Sequence, residues 1–156
     1  MKLLVVNPSD SEVKEFAIRS PLPPEVKPEH VLEADGLKVE YDSQAGTYML
    51  VGSVMLKPKE SVTRSIVLDD VWVVPAERVG GVEDEVEAIM TKLVNGSYQT
   101  QGQLLADAID RRLRDIRASQ DQSFVNPQQH ISRYRENLKA LQLVESDLVS
   151  LRQLMV

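Results

Sequence analysis

Val74-Pro75-Ala76-Glu77-Arg78-Val79-Gly80-Gly81-Val82-Glu83-Asp84-Glu85-Val86 is where this chain changes its period. Before Gly80-Gly81, apolar residues alternate with polar ones, as on a strand with one face buried. After it, they recur every three and four residues up to the last residue, as on one side of a helix. Seven of the eight prolines (Pro8, Pro21, Pro23, Pro24, Pro28, Pro58 and Pro75) precede the pair, leaving only Pro127 beyond it. The order of the two patterns predicts a segregated α+β chain: an antiparallel β-sandwich over residues 1–79 and a three-helix bundle or coiled coil over 80–156. The diglycine reads as the hinge between them.

Composition sets the bounds around that switch. The chain has 156 residues, 27% charged and 42% hydrophobic, which is the balance of a folded protein and not of a disordered one. Aromatic residues make up 4%, so any core relies on Val, Leu and Ile. A core in a domain of this half-chain size nets about 3–5 kcal/mol, which predicts that the halves pack on each other, on a second copy or on further sequence. The net charge of −6 argues against a nucleic-acid partner, whose phosphates require a basic footprint. The absence of cysteine removes disulfides and thiolate metal sites without deciding the compartment. No apolar run approaches the ~20 residues of a membrane span. Met1–Val6 lies inside a strand pattern and Leu151–Val156 inside a helical stripe with no stop signal, which predicts a piece of something longer.

In the first half, Leu3–Val6 is a short apolar run closed by Asn7-Pro8-Ser9-Asp10-Ser11, a turn sequence. Phe16 and Ile18 alternate with Glu15, Ala17 and Arg19. Pro21–Pro28 lacks ladder donors at four positions and reads as an extended surface connection. Leu37, Val39 and Tyr41 form the clearest half-buried strand. In Thr47–Leu56, Tyr48, Leu50, Val54 and Leu56 share a face, and Gly52 interrupts it as a bulge would. Val62, Ile66 and Leu68 mark another strand, and Val71–Val74 a last one, giving about six in all.

The strand ending in Asn7-Pro8-Ser9, the segment Pro21-Leu22-Pro23-Pro24-Glu25-Val26 and the turn Leu56-Lys57-Pro58-Lys59-Glu60-Ser61-Val62-Thr63 resemble an immunoglobulin-like repeat module of large bacterial and archaeal envelope proteins. The resemblance covers residues 2–74. Lys59 stands where that turn usually carries glycine. It implies an immunoglobulin-like sandwich that serves as spacer or adhesive unit, at the cell envelope or surface, with no catalytic residues. If Met1 is the native start, the corresponding expectation is a cytoplasmic accessory subunit.

In the second half, Glu83, Asp84, Glu85 and Glu87 crowd the start of a helix, where the exposed amides favour anions. Val82, Val86, Ile89 and Leu93 form its stripe, and Asn95-Gly96 reads as its stop. Leu105, Ile109, Leu113 and Ile116 carry a second helix that ends near Asp121-Gln122-Ser123. Asn126-Pro127 is a helix start, with Asn as cap and Pro at the first position. Beyond it Tyr134, Leu141, Leu148 and Met155 repeat at sevens, with Ile131, Leu138, Val144 and Leu151 beside them. This seam predicts self-association or packing on a partner helix. Tyr134, Leu141, Leu148, Leu151 and Met155, with Trp72 as a core or inter-domain anchor, are the candidate interaction residues.

The remaining candidates have plainer readings. Arg111, Arg112, Arg114 and Arg117 are the one basic cluster, but Asp107, Asp110 and Asp115 interleave them as on a salt-bridged solvent face. Asp69-Asp70, with Glu33, Asp35 and Asp42, offers oxygen ligands for calcium yet contains no D-x-D-x-D-G loop. His30 and His130 lie in separate halves, and without cysteine or a G-x-S-x-G turn they predict local capping or packing, not acid–base chemistry. The expectation is therefore a non-enzymatic structural or interaction module with no cofactor, whose partner is a protein and not a small molecule. The alternative is a binding module whose sandwich face, around Tyr41, Tyr48 and Trp72, recognises a peptide, a glycan or a protein.

Overall fold

Asn7-Pro8 ends the first strand because proline offers no donor to continue it, and Asn7 then becomes the knot of the turn. Its side chain is fully buried. Nδ2 donates to the carbonyls of Glu12 (2.8 Å), Leu56 (3.0 Å) and Lys57 (3.1 Å). Oδ1 accepts from Ser9 N (3.0 Å), and the Asn7 amide itself donates to Glu60 O (2.9 Å). One amide thus ties the end of the first strand to two turns far apart in sequence. Buried polar groups persist in this way only when every partner is supplied.

The computed structural model describes residues 1–156 and divides into two units, Met1–Val71 and Trp72–Val156. The boundary falls earlier than Val79/Gly80. The chain is α+β, with an antiparallel strand region followed by three helices. The first unit holds seven strands: β1 (Lys2–Val6), β2 (Lys14–Pro21), β3 (Val31–Glu33), β4 (Lys38–Asp42), β5 (Thr47–Leu56), β6 (Ser61–Ser65) and β7 (Val67–Leu68). They pair as β2-β5-β4, β1-β6 and β3-β7. Ile18, Leu22, Val26, Met49, Leu50, Leu56 and Ile66 are its buried apolar residues.

Several expectations for this unit are corrected. Val71–Val74 is not a strand; it runs irregularly, with Trp72 and Val74 buried. The β3 strand was not expected, because its three residues follow directly on a short 3₁₀ turn at Pro28–His30. Pro21–Pro28 is not a surface strap: Leu22 and Val26 are buried among its prolines. Gly52 marks no bulge, since the β2–β5 register runs unbroken through Ile18 opposite Gly52. A Cβ there would lie 2.6 Å from Leu37 Cδ2, so the glycine makes room for that leucine. Lys59 has φ 60°, the left-handed conformation that favours glycine. Its amine reaches Pro8 O (3.1 Å) and Asp10 (3.0 Å). At the β4–β5 turn, Asp42 accepts from the amides of Gln44 (2.9 Å) and Ala45 (3.1 Å) and from Arg19 (2.5 Å). The Ala45 amide first, and then the Arg19 guanidinium, hold its carboxyl below the usual range.

The second unit holds α1 (Ala76–Leu93), α2 (Gln99–Asp121) and α3 (Pro127–Gln153). The helix therefore begins before the diglycine, and Gly80-Gly81 lies inside α1 and is no hinge. Pro75 caps it with extended backbone, and Val79, fully buried, heads the stripe that Val82, Val86, Ile89 and Leu93 continue. Burying such a side chain is worth ~1.5–3 kcal/mol, enough to carry a helix through glycines that each cost about 1 kcal/mol. Asn95, at φ 62°, turns the chain after α1. Asn126 Oδ1 caps α3 by accepting from Gln129 N (2.8 Å). The three helices share a core of Val79, Ile89, Leu93, Ile109, Leu113, Ile116, Leu141, Val144, Leu148 and Leu151.

Candidate functional site

The heptad seam of α3 finds its partners within its own unit. Leu141, Leu148 and Leu151 are buried against α1 and α2, and Tyr134 packs at the edge of that core. Met155 lies beyond α3 and is 41% exposed. Trp72 is buried and joins Tyr134, His130, Arg133, Asn137 and Gln120 around a small cavity of about 50 Å³. Two of these side chains do work the sequence did not signal. Gln120 brackets Val74, accepting from its amide (2.7 Å) and donating to its carbonyl (3.3 Å). Arg133 reaches from α3 to the carbonyls of Ser119 (3.3 Å), Gln122 (2.7 Å) and Ser123 (3.3 Å), supplying the donors that the C-terminal end of α2 lacks. A mid-sequence Gln or Arg carries no pattern that announces such a partner.

The charges between helices are arranged unequally. Between α1 and α3, Arg78 meets Glu145 (2.5 Å), and Arg152 grips Glu85 through both carboxylate oxygens (2.5 and 2.9 Å). The hydrogen bond from Arg152 holds the Glu85 carboxyl below its usual range and raises the guanidinium above its own. Between α2 and α3, Arg112 pairs with Asp147. Between α1 and α2, one pair, Arg117–Glu83 (2.5 Å), closes one end. Past it opens a groove of about 400 Å³.

The groove follows from helical spacing. Val86 and Met90 on α1 and Ala106, Ile109 and Leu113 on α2 form its apolar floor. Glu83 and Glu87, four apart on α1, and Asp107 and Asp110, three apart on α2, stand on its two walls. Asp110 also pairs with Arg114 on its own helix, and Asp107 accepts from Gln103 (2.8 Å). No lysine, arginine or histidine lines this groove. With Glu83 paired to Arg117 and Asp110 to Arg114, it is Glu87 and Asp107 that set like charges on the two walls of this apolar cleft.

The other candidates dissolve into local structure. The arginine cluster spends Arg112, Arg114 and Arg117 on ion pairs. No three His, Asp or Glu side chains converge as metal ligands; Asp35 instead accepts from Ser65 N (2.9 Å). His30 Nδ1 accepts from Lys27 N (3.0 Å), and the His130 ring lies 4.5 Å from that of Phe124. Tyr41, 60% exposed, meets Tyr48 edge-on at 5.2 Å. Trp72 falls in the second unit, Trp72–Val156, whereas Tyr41 and Tyr48 belong to the first. No helix is long and apolar enough to cross a membrane. Fold and groove define an α+β protein with an acidic-walled interhelical cleft. Comparison with models of protein families, with curated proteins and with solved structures found no match for the chain.

Proposed function

We propose that this chain is a non-enzymatic structural and interaction module, an immunoglobulin-like sandwich followed by a three-helix bundle, whose α1–α2 groove takes a basic amphipathic helix of a partner protein. The groove itself carries the reading: its floor is apolar, carboxylates stand on both walls, and no cationic side chain lines it beyond the Arg117–Glu83 pair at its end. A helix presenting apolar residues at i, i+3, i+4 and i+7 fits such a floor, and flanking Lys or Arg answer the walls. The seam of Leu141, Leu148 and Leu151 serves the chain's own core in this reading, and the partner lies on the opposite side of α1 and α2.

A synthetic amphipathic helix of leucines flanked by lysines and arginines tests it by calorimetry. It binds the wild-type chain, and the double variant Glu87→Lys/Asp107→Lys binds it at least about tenfold more weakly, about 1.4 kcal/mol. Glu136→Lys, a charge reversal on α3, leaves binding unchanged. Equal loss from both variants would reduce the effect to net charge and remove the groove from the proposal.

A second reading rests on the exposed Tyr41 ring held edge-on by Tyr48: the strand unit stacks a sugar or a peptide side chain there. Titration with oligosaccharides, following tyrosine fluorescence in wild type and Tyr41→Ala, decides it; no change in either sinks the reading.

A further inference from the structure

The edges of the strand unit are not equally protected. An antiparallel pair alternates residues that exchange both backbone hydrogen bonds with residues that exchange none. Met1 exchanges bonds with Ile66 (2.8 and 3.0 Å), and Asn7 N donates to Glu60 O (2.9 Å). With the register Lys2–Ser65 to Val6–Ser61 between them, Leu3 and Val5 are the residues of β1 that bond β6. The amides and carbonyls of Lys2, Leu4 and Val6 therefore point away from β6, toward an edge where no other strand is paired. The Leu4 side chain is 68% exposed and that of Val6 48%.

Free strand edges are normally blunted by charge, by proline or by shortness. β2 carries Lys14, Glu15, Arg19 and Pro21, and β4 carries Lys38, Glu40 and Asp42. β3 and β7 are three and two residues long. On the far side of β6, Asp35 takes the Ser65 amide (2.9 Å). β1, Lys2-Leu3-Leu4-Val5-Val6, has only Lys2.

We propose that the open edge of β1 pairs with β1 of a second copy of this chain, antiparallel about a two-fold axis through Leu4, joining two β1-β6 sheets into one. The register is self-complementary. Leu4 faces Leu4 of the second copy, and Lys2 faces Val6 of the second copy at each end. Every outward amide and carbonyl of the strand is then satisfied. The charges select this orientation: the two Lys2 side chains sit at opposite ends, about 13 Å apart at ~3.4 Å per residue, whereas parallel pairing would set them side by side. Two five-residue strands bury less than the ~1,200 Å² of a standard interface, so the dimer is a weak, concentration-dependent one.

Sedimentation velocity from about 10 μM to about 1 mM, the range in which so small an interface is populated, shows wild type moving from monomer to dimer. Leu4→Lys sets two ammonium groups against each other at the axis and keeps the chain monomeric, while its unchanged circular dichroism shows that this exposed position tolerates the change. Leu4→Glu alone behaves likewise, and mixing Leu4→Lys with Leu4→Glu restores the dimer. Met55→Lys, at an exposed apolar residue of β5, leaves dimerisation intact. A wild type monomeric throughout, a Leu4→Lys that still dimerises, or a mixture that stays monomeric overturns the proposal. None of these outcomes touches the groove, which is read by a peptide and not by self-association.

Discussion

A single buried side-chain amide, that of Asn7, ties together segments of the strand unit that lie far apart in sequence. Asn7 serves three carbonyls and one amide through its side chain, at distances of 2.8–3.1 Å. Replacing it removes a donor from the buried Leu56 carbonyl and from the half-buried Glu12 carbonyl, and an unsatisfied buried group costs ~1–3 kcal/mol. Asn7→Ala is therefore expected to destabilise the chain by about 2–4 kcal/mol in urea unfolding. Asn7→Asp should lose more at neutral pH, because a carboxylate cannot donate to Glu12, Leu56 or Lys57 and faces their oxygens instead. An Asn7→Asp as stable as wild type would mean that the turn is held by other contacts. The asparagine in Asn7-Pro8-Ser9 reads from sequence as turn chemistry, which it is. Its reach to Leu56 and Lys57 depends on how distant segments meet, and no local pattern carries that.

At the scale of elements, α1 shows where local signals lose to packing. Two adjacent glycines inside a helix read as a break, and the spacing of Val79 to Val82, continuing the stripe through them, is the signal that outweighs it. A Cβ at Gly80 or at Gly81 would meet nothing within 4 Å. Alanine at either position is thus free of clashes and removes the conformational freedom of glycine from the unfolded chain. Gly80→Ala and Gly81→Ala should each stabilise by about 0.5–1 kcal/mol, nearly additively. A loss of stability on either change would show that the glycines serve motion or close approach after all. The start of α3 illustrates the opposite case. Asn126-Pro127 and the apolar repeat beyond it were fully legible, because cap, proline and stripe all agree within a few residues. What the repeat does not encode is its partner: the seam looks open in sequence, and α1 and α2 close it. The acidic groove was illegible for the same reason. Glu87 reads as an anion at a helix start and Asp107 as part of a salt-bridged solvent face, and only the packing of α1 on α2 turns them into facing walls.

For the whole molecule, the decisive quantity is the net charge of −6 against the chemistry of the two proposed contacts. The order of a strand region and three helices follows from the period change. Which surfaces attract is instead a property of the summed field, to which every exposed side chain contributes. Two copies meeting at β1 bring like net charges together, and their contact is made of backbone hydrogen bonds and Leu4 and Val6. A basic helix entering the α1–α2 groove meets charges of opposite sign. Screening acts on these in opposite directions, since the Debye length falls from about 10 Å at 0.1 M salt to about 3 Å at 1 M. Raising sodium chloride over that range should weaken the basic peptide several-fold while strengthening self-association in sedimentation. Salt-independent peptide binding would leave the apolar floor as the whole of the attraction. Self-association that dissolves in salt would point to a contact between opposite charges, which a strand edge of Leu4 and Val6 does not provide.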